Sequence, residues 1–192
     1  MNRIMRLILL VVFFIGSCSV MGAPTASVYE VVISFDFKKH FKLATNQFVV
    51  WIENGSGEHV KTVFVTEFMA KNGWTKRPDG LVEWRKAIHD QPVETISGAT
   101  PHSGRVELVW DLKDANGYTI PDGDYTLRLE ANTAWKTYFE YKCLISIKDK
   151  QPFLGDAIQQ ITGEAPLKQD MIENVQTQTR KSRKANRRLQ CL

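Results

Sequence analysis

Apolar and polar side chains alternate from Tyr29 to Phe37. Tyr29, Val31, Ile33, Phe35 and Phe37 fall on one side, and Glu30, Ser34 and Asp36 on the other. A period of two predicts a half-buried strand, because successive side chains in a strand point to opposite faces. A second strand is predicted over Phe48–Glu53 and a third over Val60–Phe68. Between them stands Asn54-Gly55-Ser56-Gly57, a run rich in residues that tolerate positive φ, so the two strands should form an antiparallel hairpin. Leu81, Trp84 and Ile88 then recur at spacings of three and four, which predicts one short helix between Asp79 and His89. Ser97–Gly104 reads as a loop. Strand patterning returns over Arg105–Trp110, again at Tyr125, Leu127 and Leu129, and again over Thr137–Ile147. Turns rich in Asp, Asn, Gly and Pro separate these strands. Short strands with such punctuation predict an all-β chain, an antiparallel β-sandwich with one inserted helix.

The two ends break this pattern. Arg3 and Arg6 precede an unbroken apolar run, Leu7–Ile15, and the small residues Gly16 and Ser17 follow. This is the layout of a secretory signal peptide. As a helix, nine apolar residues cover about half of a ~30 Å hydrocarbon core, so a permanent span is not expected. Two processing routes are open. Ile15-Gly16-Ser17-Cys18 is a relaxed lipobox that would leave Cys18 as a lipidated first residue, and Val20-Met21-Gly22 suits ordinary cleavage before Ala23. The chain thus divides into a signal at 1–22, a sandwich domain at 28–147 and a polar tail at 148–192. In the tail Pro166 could open a helix with Leu167, Met171 and Val175 on one face. The tail is expected to be helical or disordered.

Charge follows the same division. The formal net charge is +4 over 192 residues, but six basic side chains lie between Arg180 and Arg188 with no acid among them. With those six set aside, 19 basic residues face 21 acidic ones. The basic character therefore belongs to the tail. An exported chain is a poor candidate for nucleic acid. An anionic lipid surface or another envelope polyanion is the better expected partner, at up to about 1 kcal/mol per basic side chain.

Candidate chemistry is sparse. Cys143 lies in a strand pattern and reads as a small buried hydrophobe, and Cys191 sits near the end of the polar tail. His40, His59, His89 and His102 are scattered without metal-ligand spacing, and no cofactor is expected. Asp111, Asp114, Asn116, Asp122 and Asp124 crowd one hairpin end and make a candidate cation site. The loop fails the EF-hand test: with Asp114 and Asn116 as the third and fifth positions, the first is Leu112 and the twelfth Gly123. No nucleophile elbow or His-Glu-x-x-His motif occurs, so no enzyme is expected. Trp51 and Trp110 read as core or sheet-face residues. Trp74, in a loop with Lys76 and Arg77, is the tryptophan best placed for an exposed ligand contact.

Three stretches carry a resemblance as a set. Trp51-Ile52-Glu53-Asn54-Gly55 leads to Val60-Lys61-Thr62-Val63. Gly73-Trp74-Thr75-Lys76-Arg77-Pro78-Asp79 leads to Trp84. Ser97-Gly98-Ala99-Thr100-Pro101 leads to Trp110-Asp111 and Pro121-Asp122-Gly123-Asp124-Tyr125. In this order, over roughly Val28–Ile147, they resemble a bacterial family of predicted periplasmic proteins of unknown function, some of whose members are labelled flagellin biosynthesis proteins. The hairpin from Val109 to Tyr125 also resembles the Ig-like domain of flagellar hook-capping proteins, which implies an Ig-like sandwich. Hook-capping proteins lack a cleavable signal, so the signal argues against a flagellar role. The expectation is an exported, non-enzymatic binding or accessory module of the cell envelope, periplasmic or anchored through Cys18 or the basic tail. The alternative is a periplasmic metal- or small-ligand-binding protein. Mass spectrometry of the protein recovered from the envelope should find either a lipidated Cys18 or a chain beginning at Ala23. An intact Met1 would contradict the export signal.

Overall fold

The computed structural model describes residues 29–40, 46–89, 97–134, 137–163 and 171–182. The signal segment with Cys18, together with Trp135, Pro166, Leu167 and Cys191, lies outside the described residues. The elements in chain order are β1 Tyr29–Phe37, β2 Gln47–Asn54, β3 His59–Thr66, α1 Glu67–Ala70, a 3-10 turn Gly73–Thr75, α2 Val82–Ala87 and β4 Ser97–Gly98. They continue with β5 Gly104–Trp110, β6 Gly123–Ala134, β7 Thr137–Lys148, β8 Gln151–Leu154, β9 Ile158–Gly163 and β10 Ile172–Lys181. Among the described residues these strands form two sheets. One has the order β10-β1-β5. The other runs β4-β3-β2-β6-β7-β8, with β9 also on β7. All pairings are antiparallel except the short β3–β4 contact.

The main core lies between the sheets. Val31, Ile33, Phe35 and Phe37 of β1 meet Phe48, Val50 and Ile52 of β2, Leu127 and Leu129 of β6, and Phe139, Cys143 and Ile145 of β7. The alternation that predicts β1 and β6 is thus the alternation of core and outer faces. Trp110 is fully buried, donates its indole N–H to the Lys113 carbonyl at 2.9 Å and meets Tyr125 edge-on at 6.0 Å. Tyr125 in turn donates its hydroxyl to the Pro121 carbonyl at 2.8 Å. These contacts lock the β5–β6 connection to the core.

The tail departs from expectation. Gln151–Leu154 and Ile158–Gly163 pair with β7, and Ile172–Lys181 pairs along β1, so β structure continues well beyond residue 147. The helical reading of Met171 and Val175 fails because Met171 leads directly into a strand that pairs along β1 and carries a bulge. Ser34 pairs with Gln176 and Asp36 with Glu173, and Asn174 takes φ 53°. The extra residue shifts the strand's phase. Ile172 faces the core and Val175 packs against it three residues further on, across the bulge. Arg180 and Lys181 are therefore strand residues and not part of a free basic tail. Arg180 is bridged to Glu30 at 3.2 Å and Glu107 at 2.9 Å.

The single helix expected after Asp79 is part of a larger insert. Predicted strand Val60–Phe68 stops at Thr66, and α1, the 3-10 turn and α2 follow. Together they cover part of the outer face of the larger sheet. Met69, Leu81, Trp84 and Ile88 pack there on Val49, Trp51 and Val65 in a second core. Gly73 permits the close chain approach: a Cβ there would sit 2.4 Å from the Phe68 carbonyl oxygen.

Candidate functional site

Under the insert, the outer face of the larger sheet carries charge where a core is expected. Strand β6 presents Asp124, Thr126, Arg128, Glu130 and Asn132 outward, alternating with Tyr125, Leu127, Leu129 and Ala131 inward. Register places Trp51 opposite Arg128, Arg128 opposite Lys142, and Glu130 opposite Glu140. Glu130, Asn132 and Glu140 are almost completely buried.

Glu130, Asn132 and Glu140 each have a partner. The first N–H groups of a helix have no acceptor within the helix. Here the acceptors come from β6. Glu130 accepts from the Trp84 N–H at 2.9 Å and the Glu83 N–H at 3.3 Å, and Asn132 Oδ1 accepts from the Leu81 N–H at 2.7 Å. Leu81 takes φ 48°, unusual for a leucine, and its burial and this bond hold it there. The indole N–H of Trp84 donates to Thr62 Oγ1 at 3.0 Å, and the Thr62 hydroxyl also meets His59 Nε2 at 2.9 Å.

Arg128 is the hub of the second group. It donates to Glu53 at 2.8 Å and to Glu140, and its guanidinium lies 4.8 Å from the centre of the Trp51 ring. Trp51 donates its own N–H to the same Glu53 carboxylate at 2.8 Å. Lys142 reaches the other Glu140 oxygen at 3.4 Å.

These surroundings move pKa values. Burial pushes Glu130 up to about 7, the carboxylates of Glu140 and Glu83 add to the shift, and the two N–H donors oppose it. Burial opposes the charge on Arg128, but Glu140 and Glu53 outweigh it and raise the pKa. Burial lowers His59 against the pull of Glu53, so its imidazole is neutral at pH 7.

An open cleft of about 760 Å³ lies beside this lattice, between the β2–β3 turn and α2. Glu53, Glu58, His59, Glu83, Lys86 and Arg128 supply most of its polar lining. Glu58 is hydrogen-bonded to Asn54 at 2.7 Å, and Lys86 to Glu83 at 2.8 Å.

The family model described as "Predicted periplasmic protein (DUF2271)" matches residues 29–162, more than half of the chain. The chain belongs to this family. The DUF2271 match takes in every residue of the cleft and of the buried lattice, and it ends before β10, the strand that completes the smaller sheet. Membership supports an exported protein. No curated protein and no solved structure matches the chain.

The residues singled out from sequence lie elsewhere. Trp74 is half-buried, packs edge-on against Trp84 at 5.9 Å and has the Arg85 guanidinium 6.0 Å from its ring, so it serves the second core. Lys76 is exposed, and Arg77 lies 3.4 Å from Asp79. The acidic hairpin end is not gathered into one site. Asp111 pairs with Lys61 at 3.0 Å, Asp114 accepts the Tyr118 N–H at 2.8 Å within its own turn, and Asn116 is exposed. Asp122 accepts the N–H groups of Asp149 and Lys150 at 2.7 and 3.1 Å and so braces the β7–β8 turn. Asp124 is exposed. Among the described residues no group of three or more His, Cys, Asp or Glu side chains is placed to hold a metal ion. Cys143 is buried and unbridged, and burial raises its pKa, which suits an inert core thiol.

The raised pKa of Glu130 sets a pH dependence. The folded state keeps the proton up to about pH 7, whereas the unfolded chain loses it near the ordinary value of 4.5. Stability from this group is therefore full below about pH 4.5 and is lost as pH rises to 7. Thermal melts of wild type should fall between pH 5 and 8 by the equivalent of up to about 3 kcal/mol. Glu130→Gln should flatten that slope, and an unchanged slope in the variant would contradict the assignment.

Proposed function

We propose that the protein is an exported, non-enzymatic binding module of the cell envelope, and that it takes a small polar ligand in the cleft beside α2. The supporting observation is the buried lattice of Trp51, Glu53, Arg128 and Glu140 next to an open cleft. Buried ion pairs seldom add stability over well-packed apolar residues. They do hold side chains in fixed positions on rigid strands, which is what recognition of a ligand needs. The cleft lining favours a positively charged group. Glu53, Glu58 and Glu83 face it, against Lys86 and Arg128, with His59 neutral.

Catalysis is not the better reading. The polar groups of the cleft are already engaged: Glu53 with Arg128, Glu83 with Lys86, Glu58 with Asn54 and the neutral His59 with Thr62. A general base or nucleophile needs its reacting atom directed at substrate.

Titration of the mature protein with a panel of small amines and carboxylates, followed by 1H–15N chemical-shift mapping, tests this reading. At least one amine should give saturable shifts at Gly57, His59 and Ile88, weakened by Glu58→Gln. A panel with no saturable shift at these residues would contradict it, as would turnover of a panel compound that is lost in His59→Ala.

A further inference from the structure

The polar cleft continues into a second one on the same face of the sheet. This second cleft measures about 630 Å³, and Glu53 and Gly57 line both, so the two meet. Its character differs. Leu144, Phe153 and Leu154 supply apolar walls, Thr126 of β6 and Ser146 of β7 also line it, and Asp124 and Glu53 are its acids, with no basic residue in the lining.

Register explains why these side chains share a face. Glu53 stands opposite Thr126, Thr126 opposite Leu144, and Ser146 opposite Phe153. Lys142 stands opposite Ile158, which puts Ile158 on the outer face too. Leu144, Phe153 and Ile158 are 68, 57 and 67% exposed. They flank the interruption between β8 and β9, where Gly155 bonds back to the Leu144 carbonyl at 2.8 Å. The insert that buries Trp51 and Val49 packs nearer β3 and β2 and leaves these three side chains open. A group of large exposed apolar side chains next to a polar cleft is the signature of a contact surface.

We propose that the two clefts form one track for an extended peptide segment of a partner, with basic residues in the polar cleft and apolar residues on Leu144 and Phe153. This rests on the binding reading of the first cleft and names its ligand class. The dimensions fit. From His59 on β3 to Phe153 on β8 the track crosses five adjacent strands, about 19 Å at ~4.8 Å per strand spacing. That length holds about six residues of extended chain at ~3.3 Å each. The charge fits as well. Glu53, Glu58, Glu83 and Asp124 line the joined track against Lys86 and Arg128. An anionic membrane surface suits it less, because the lining of the apolar cleft holds Asp124 and Glu53 and no basic residue.

Three fluorescein-labelled hexapeptides test this by anisotropy against the full mature chain. One carries two arginines at one end and leucine and phenylalanine at the other. The second has glutamates in place of the arginines, and the third has serines in place of the apolar pair. The first should bind saturably, and each of the others at least about tenfold more weakly, the effect of losing one modest contact. Leu144→Ser with Phe153→Ser should cost the first peptide a similar factor while leaving the melting temperature and the amine shifts at His59 unchanged. Equal binding of the glutamate peptide, or no loss in the double variant, overturns the proposal. Absent peptide binding with amine shifts intact overturns this inference alone; absence of both overturns the reading of the first cleft as well.

Discussion

The hydrogen bonds from the start of α2 to Glu130 and Asn132 are the constraint on which the outer face depends. A carboxylate out of water is costly unless it is fully bonded, and the leading N–H groups of a helix are costly unless an acceptor is supplied. Here the two deficits cancel. Glu130 and Asn132 supply the acceptors that α2 lacks, and α2 supplies the donors that they need. The geometry leaves little latitude, since Leu81, Glu83 and Trp84 must all meet side chains fixed on one rigid strand. Trp84 then falls over Thr62, and the second core closes beneath it.

From that docking the cleft follows. With α2 fixed, Glu83 and Lys86 form one wall, the β2–β3 turn forms the other, and Arg128 is held at the floor by Glu53 and Glu140. The insert is also short, and it leaves Leu144, Phe153 and Ile158 exposed. One local device therefore sets both the polar cleft and the extent of the open apolar surface next to it.

Much of the fold was legible in sequence because alternation survives wherever one strand face meets the main core, as in β1, β5 and β6. Alternation does not say whether the outer face is solvated or covered. Arg128, Glu130 and Asn132 have the outward positions of an ordinary solvated face, and only the insert, remote in sequence, makes them buried. A signal was present in β2. Phe48-Val49-Val50-Trp51-Ile52 is apolar without alternation, which marks a strand covered on both faces. The tail misleads for a different reason: Leu167, Met171 and Val175 are spaced by four, which fits a helix face but is also an even number that a strand carries, and Ile172–Lys181 pairs along β1. The Asp-rich hairpin end looked like a ligand set because its acids are close in sequence, yet Asp111, Asp114 and Asp122 each serve a different local partner.

Native-state hydrogen exchange at the Leu81 and Trp84 amides reads the docking of α2 on β6 directly. These N–H groups have no acceptor within α2, so their protection reports the side chains of Asn132 and Glu130. With α2 docked through these bonds, both amides should exchange as slowly as the β6 backbone around Leu129. Exchange at these two amides as fast as at the exposed turn residue Asn116 would contradict that docking.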